Sequence, residues 1–270
     1  AMAAKGYSRL TKRVKTEEKV LITCGASAGL SAAFNAPIAG ILFSLEEVHK
    51  HISPELVLSS MAASITSDFV SRNVFGLKPV FTFHITHMMP LSTYGHVLIL
   101  GALIGLMGVL YNTCIGKSQD LYGMIPRQFV RILIPFLMAG AFGFLYPAVL
   151  GGGHSLVEEL TAGELMLGGL FLLFALKFAF SMISFGSGAP GGIFLPLLVL
   201  GAIIGSIYYN LASAVSPDIS GLLSNFIILG MAGYFSAIVR APITGIILIS
   251  EMTGSFSHLL TRSEERRVGK

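Results

Sequence analysis

Gly186-Ser187-Gly188-Ala189-Pro190-Gly191-Gly192-Ile193-Phe194-Leu195-Pro196 places four glycines and two prolines between two strongly apolar segments. Leu165 to Phe185 precedes it and Ile193 to Leu211 carries on from it, each long enough to cross most of a bilayer. The stretch therefore reads as a break in a membrane helix, not as a surface loop closing a soluble hairpin. Irregular backbone inside hydrocarbon survives only where protein or a water-filled cavity satisfies its N–H and C=O groups, and such breaks recur at transporter binding sites. A packing kink or a short extramembrane loop with no ligand is the competing reading. A nucleotide-phosphate loop is excluded, because no G-x-x-x-x-G-K-[ST] follows and no βαβ pattern surrounds the stretch.

The composition agrees. Of 270 residues, 53% are hydrophobic and 12% charged, with mean hydropathy +0.77, whereas soluble domains carry about 25% charged residues. This is an integral, multi-pass membrane chain. Period-2 alternation with frequent turns is missing and apolar runs near helical spanning length recur, so the spans are helices and an outer-membrane barrel is excluded. A net charge of +4 and a pI near 9.1 do not indicate nucleic acid, because the basic residues sit in short flanking loops and not in a stripe with aromatics. Cys24 and Cys114 lack a CxxC partner or metal-ligand spacing and read as packing residues. Neither H-E-x-x-H, nor G-x-S-x-G, nor a cofactor loop is present, so enzyme chemistry, a bound cofactor and a metal are not expected.

Along the chain, the basic surplus of residues 5 to 19 predicts a cytoplasmic start. Val20 to Leu45 is apolar but divided by Asn35-Ala36-Pro37, so the chain is expected to enter, bend and return, ending at Glu46-Glu47-Val48-His49-Lys50-His51. Ser53-Pro54 predicts a helix start, with Ser53 as N-cap, leading into the Ser/Ala-rich segment Leu56 to Phe75. His84 and His87 lie in the following loop and read as loop residues. His96 to Ile115 is a clear span whose Gly101-x-x-x-Gly105 offers a close-packing face. Arg127 to Leu150 is a second span, interrupted by Pro135 and Pro147. Lys177, near the middle of the helix before the broken stretch, must face protein or water, since an ionisable group there costs roughly 3 kcal/mol on insertion scales.

An internal repeat is visible. Gly25 to Glu46 set against Gly230 to Glu251, at a constant offset of 205, gives nine identities in twenty-two ungapped positions. The co-registered Ala-Pro-Ile-x-Gly-Ile followed by Glu, Ala36 to Glu46 and Ala241 to Glu251, is not explained by membrane composition. A duplicated transporter architecture follows, with an ion site at the repeat interface. The first-copy counterpart of Gly191 to Pro196 would fall before Ala1, and the partner of the Glu55 to Phe75 helix would begin near residue 260, where hydrophobicity stops. The expectation is a partial transmembrane domain over residues 1–261, its first repeat lacking N-terminal helices and its second lacking C-terminal ones.

Gly192-Ile193-Phe194-Leu195-Pro196 resembles the G-x-F-x-P motif of the CLC family of chloride channels and chloride/proton antiporters. Gly25 to Glu47 resembles the segment after that family's first pore glutamate, and Ser187-Gly188-Ala189-Pro190 and Arg240-Ala241-Pro242 also fit. The resemblance implies an all-α inverted-repeat bundle of tilted and broken helices, a homodimer with one ion pathway per subunit. It implies helix N-termini aimed at a central anion: the N–H groups of Ile193 and Phe194 would face chloride, with Gly191 and Gly192 permitting close approach. The positive end of a helix favours an anion without gripping it as a full charge would.

Glu46 has a repeat mate in Glu251, which favours a shared structural role, whereas Glu47 has Met252 opposite it. In the family the position matching Glu47 is the inner proton-transfer glutamate of antiporters. The resemblance thus implies chloride/proton antiport in a bacterial cytoplasmic membrane, with chloride, protons and the lipid bilayer as partners and no nucleic acid. A passive voltage- or proton-gated channel and a non-conducting scaffold or inactive fragment are the alternatives. The family's external gating glutamate and its later chloride-coordinating tyrosine have no match here. Arg262 to Lys270, RSEERRVGK, resembles read-through of a sequencing adapter and is treated as a non-native tail.

Overall fold

The computed structural model describes residues 2–11, 14–50, 53–76, 81, 83, 89–189 and 191–254. His84, His87 and the tail 262–270 lie outside the described residues. The described secondary structure is helical: α1 (Met2–Leu10), α2 (Lys15–Phe34), α3 (Pro37–Phe43), a π-helical turn (Ser44–His49), α4 (Pro54–Phe75), α5 (Tyr94–Gly123), α6 (Gln128–Leu145), α7 (His154–Ala162), α8 (Leu167–Gly186), α9 (Phe194–Ser213), α10 (Leu223–Val239) and α11 (Pro242–Met252). Segments 91–123, 128–145, 167–186 and 194–213 are long and apolar enough to cross a membrane. The chain forms two compact units, residues 1–82 with 239–270 and residues 83–238.

In the first unit the bend expected at Asn35-Ala36-Pro37 is present. Asn35 takes the left-handed conformation (φ 51°) and its N–H donates to Ser31 O to close α2, and Pro37 opens α3 at its first position. The second copy of the repeat reproduces this backbone. Arg240 stands at φ 61°, and Ala241 at φ −127°, ψ 75° matches Ala36 at φ −126°, ψ 73°. An αL residue followed by an alanine and a helix-starting proline is thus the shared element of the duplication, and it opens the next helix without a long loop.

Ser53 accepts from Leu56 N at 3.3 Å, the N-cap expected of it, and α4 then lies along α2. Serine hydroxyls lace the pair. Ser31 donates to Ser64 O at 2.9 Å, Ser67 to Ala28 O at 2.8 Å and Ser71 to Ala32 O at 3.2 Å, while Ser64 reaches Pro37 O at 2.7 Å. Small residues let the backbones approach, and hydroxyls spend their bonds on the neighbouring helix where water is scarce. Asp68, buried in α4, pairs with Arg72 one turn on at 2.6 Å.

The second unit is built around α9. Its most apolar window is 67% buried, against 6% for α6. α9 crosses α10 at glycines: a Cβ on Gly201 would lie 2.4 Å from Gly230 O, and one on Gly205 2.2 Å from Phe226 O. Only hydrogen fits at such a crossing. Among the described residues the close-packing face expected at Gly101 and Gly105 is not used, since nothing lies within 4 Å of a Cβ at either. On α5 the tight contact is one turn further along, where a Cβ on Gly108 would meet Ala237 Cβ at 2.9 Å.

Two boundaries differ from expectation. α5 runs to Gly123, eight residues beyond Ile115. Its 30 residues measure about 45 Å, longer than a hydrocarbon core, so Lys117 and Asp120 fall on turns beyond the apolar length. Hydropathy ends where lipid ends, whereas backbone hydrogen bonding does not. The span expected to reach Leu150 stops at Leu145, and Pro147–Val149 forms a separate 3₁₀ turn. Pro147 lacks the N–H that would extend α6, while Pro135 is accommodated inside it.

Candidate functional site

The broken stretch has a definite shape. α8 ends at Gly186, and a Cβ there would lie 2.0 Å from Ser118 Oγ of α5. Ser187 donates to Ser184 O at 2.6 Å and accepts from Ala189 N at 3.2 Å, and Gly188 takes φ 74°. The hydroxyl and the left-handed glycine together satisfy the frayed helix end. Gly191 and Gly192 are exposed, and among the described residues no atom lies within 4 Å of a Cβ on Gly192. α9 then starts at Phe194 with Ile193 as N-cap, and Leu197 N makes the first backbone bond of the turn, to Ile193 O at 3.2 Å. Amides in a first turn point out of the helix end, and Pro196 has none to offer. The donors at this mouth therefore belong to residues 193–195, beside two glycines that leave room for a ligand. Phe194 packs on Phe235 of α10 with ring centroids 5.1 Å apart, which fixes the turn laterally.

The starts of α3, α9 and α11 treat their N-termini differently. In α3 the Glu251 carboxylate accepts from Ile38 N at 3.1 Å and Ala39 N at 2.8 Å. In α11 the Glu46 carboxylate accepts from Ile243 N at 3.3 Å, Thr244 N at 2.8 Å and Thr244 Oγ1 at 2.8 Å. Pro37 and Pro242 have no N–H, and Gly40 and Gly245 bond back to Ala36 O and Ala241 O, so the carboxylates complete the donor inventory of both first turns. The shared structural role expected of the repeat pair Glu46 and Glu251 is therefore a reciprocal cap: each copy's glutamate seats on the other copy's helix start. α9 has no acidic residue in its first turn, and Ile193 has no side-chain acceptor. The positive ends of α3 and α11 are neutralised by protein, and that of α9 faces its glycines.

Glu47 lies in the first unit, whereas Gly191, Gly192, Ile193 and Phe194 lie in the second. It is half-buried in the π-helical turn, and among the described residues no hydrogen bond or ion pair holds its carboxylate. The repeat copies diverge here. Glu47 stands on a π-turn, a feature often found at functional sites, while Met252 is buried at the end of a regular helix. The turn ends at Lys50 in the left-handed conformation (φ 54°). His49 Nε2 lies 2.9 Å from Thr23 Oγ1, whose hydroxyl donates to Lys19 O at 2.9 Å, so the imidazole is the donor and ties the turn to α2.

Lys177 is 2% exposed, and its ammonium donates to Val149 O at 3.0 Å and Gly151 O at 3.2 Å. It faces protein, as its cost in lipid requires. The carbonyls it grips belong to the turn before α7, whose next residues abut the start of α9: a Cβ on Gly152 would lie 3.1 Å from Leu195 Cδ1, and one on Gly153 2.6 Å from Val199 Cγ2. Sequence flagged the lysine but not its partners, because main-chain carbonyls leave no residue signature.

A family model described as voltage gated chloride channel matches residues 1–262. The chain belongs to the voltage-gated chloride channel family. Among curated relatives, it is 40% identical over 257 residues to the H(+)/Cl(-) exchange transporter ClcA of Vibrio cholerae, covering 92% of this chain and 55% of that protein. To the protein of the same name from Yersinia pestis it is 37% identical over 247 residues, 89% of this chain and 52% of the relative. The chain thus spans about half the length of the curated relatives it matches. A crystal structure of a slow cyanobacterial Cl−/H+ antiporter superposes with TM-score 0.81 at 30% identity, over 93% of this chain and 60% of that one. A CLC-type fluoride/proton antiporter at 21% identity, TM-score 0.70, shares the fold. The all-α membrane fold expected from the motifs is that of this chloride channel family.

Proposed function

We propose that the protein bearing this chain exchanges chloride for protons across a bacterial cytoplasmic membrane and works as a homodimer. The observation that carries the anion half is the contrast among helix starts. Glutamates fill the first turns of α3 and α11, while α9 opens on Gly191 and Gly192 without an acid. A helix N-terminus supplies about half a positive charge, enough to hold a small anion and weak enough to release it. In this reading the Ile193 and Phe194 amides face chloride, Gly191 and Gly192 admit it, and no cofactor takes part.

The proton half rests on Glu47, a carboxylate that the duplicated scaffold does not require and does not use as a cap. An ionisable side chain retained in a membrane domain without a structural bond is a candidate for moving protons. The exchange-transporter names of the relatives from Vibrio and Yersinia support antiport over a passive channel.

The test is flux in liposomes with the full-length protein. Glu47→Gln lowers anion-driven proton movement by about tenfold or more, the scale of a lost relay group, while anion flux persists. Unaltered proton movement in that variant rejects Glu47 as the relay. Absence of uphill proton movement in the parent protein replaces antiport by channel conduction.

A further inference from the structure

The geometry points to Glu46 and Glu251 as positioning residues for Glu47: their reciprocal caps grip the helix that carries Glu47 and set the direction of its side chain. This rests on the reading of Glu47 as the proton relay.

The helix begins at Pro37 and ends with the π-turn at His49. At its start, Glu251 holds two amides, Ile38 N and Ala39 N. Near its end, Glu46 is itself held by three donors, the amides of Ile243 and Thr244 and the Thr244 hydroxyl. Beyond it, His49 is bonded to Thr23 on α2. The helix is thus clamped at three points along its length. Rotation about its own axis would carry the Ile38 and Ala39 amides away from Glu251 and strain the three bonds that Glu46 makes.

Glu47 is the next residue on the π-turn, so its side chain leaves the axis in a different direction from that of Glu46. Its own carboxylate has no bond among the described residues, so nothing local aims it. Its direction comes from the backbone, and the backbone is fixed by Glu46 on one side and Glu251 on the other. Charge-assisted bonds of this kind are among the stronger ones available to a side chain. The clasp is reciprocal in its amide bonds and asymmetric in its consequence: beside Glu46 stands a carboxylate, and beside Glu251 the buried Met252.

The decisive readout is the proton-to-anion ratio, because a merely structural role would lower both fluxes together through less folded protein. Glu251→Gln, in the full-length protein in liposomes, keeps the side-chain volume but offers one amide an N–H in place of an acceptor. The expected result is a fall in the ratio of about threefold or more, with anion flux falling less than about twofold, since a lost charged hydrogen bond easily shifts an equilibrium by such factors. Thr244→Val removes one donor to Glu46 and leaves all amide bonds. It lowers the ratio in the same direction by less, and serves if Glu251→Gln does not fold. A ratio unchanged in the folded variants overturns the proposal.

A second arm does not depend on proton transport. With Cys24 and Cys114 replaced by serine, Glu47→Cys reacts with a water-soluble methanethiosulfonate reagent, and Glu251→Gln or Thr244→Val is added. A clasp that aims position 47 predicts a change in modification rate of about threefold or more. An unchanged rate overturns it. If Glu47→Gln leaves coupling intact, the relay reading fails alone, and the accessibility arm still decides the clasp.

Discussion

The crossing of α9 and α10 makes a quantitative prediction about where this chain tolerates a methyl group. In Gly230→Ala the new Cβ would stand 2.3 Å from Gly201 O and 3.0 Å from Gly205 N, so the two backbones must separate by about 1 Å to restore van der Waals contact. Overpacking of this kind costs about 1 to 3 kcal/mol, and the better helix propensity of alanine returns up to about 1 kcal/mol. The net expectation is a loss of about 1 to 2 kcal/mol. Gly101→Ala places its Cβ in open space and keeps only the propensity gain. Thermal unfolding in detergent, followed by circular dichroism because the chain has no tryptophan, should lower the midpoint of Gly230→Ala by several degrees, at about 2 to 4 °C per kcal/mol for a chain of this size class. Gly101→Ala should leave the midpoint unchanged or raised. Gly205→Ala with Gly230→Ala should cost less than the sum of the singles, because one separation of the helices relieves both clashes. Equal losses at Gly101 and Gly230, or strict additivity at Gly205 and Gly230, would refute the reasoning.

Three further substitutions probe the α9 mouth and its support. Lys177→Met gives up two ammonium bonds and also the cost of burying a charge, so global stability changes little; amide hydrogen exchange around Leu150 and His154 should quicken by about 5- to 30-fold, the factor for 1 to 2 kcal/mol, and unaltered exchange would show that the lysine does not hold that turn. Gly153→Ala combines φ 77° with a Cβ 2.6 Å from Val199 Cγ2, so strain and overpacking together cost about 2 to 5 kcal/mol; Gly188→Ala, at φ 74° with no clash among the described residues, bears only the strain of about 1 to 2 kcal/mol, and thermal midpoints should rank the two accordingly.

The membrane class, the break at Gly186 to Pro196, the Ser53 cap and the Asn35-Ala36-Pro37 reversal were determined by the sequence alone, since each depends on residues next to one another in the chain. Apolar length, a proline at a first helical position and a glycine pair act locally. The repeat was also legible, and it singled out Glu46 and Glu251 as partners in role. What it left open was which groups those carboxylates meet, because Glu46 and Thr244 are nearly two hundred residues apart and their bonds go to main-chain amides that every residue possesses. The same holds for Lys177 and its two carbonyls. Gly101-x-x-x-Gly105 and the pairing of Gly201 and Gly205 with Gly230 show the limit most directly. Glycine spacing marks a helix face that could be approached, and only the arrangement of the other helices decides which face is approached. For the proposed function, the sequence supplied the candidate donors of α9 and the candidate carboxylate Glu47. The tertiary structure decided which helix ends are already neutralised by protein, and that follows from the seating of each repeat's glutamate on the other repeat's first turn.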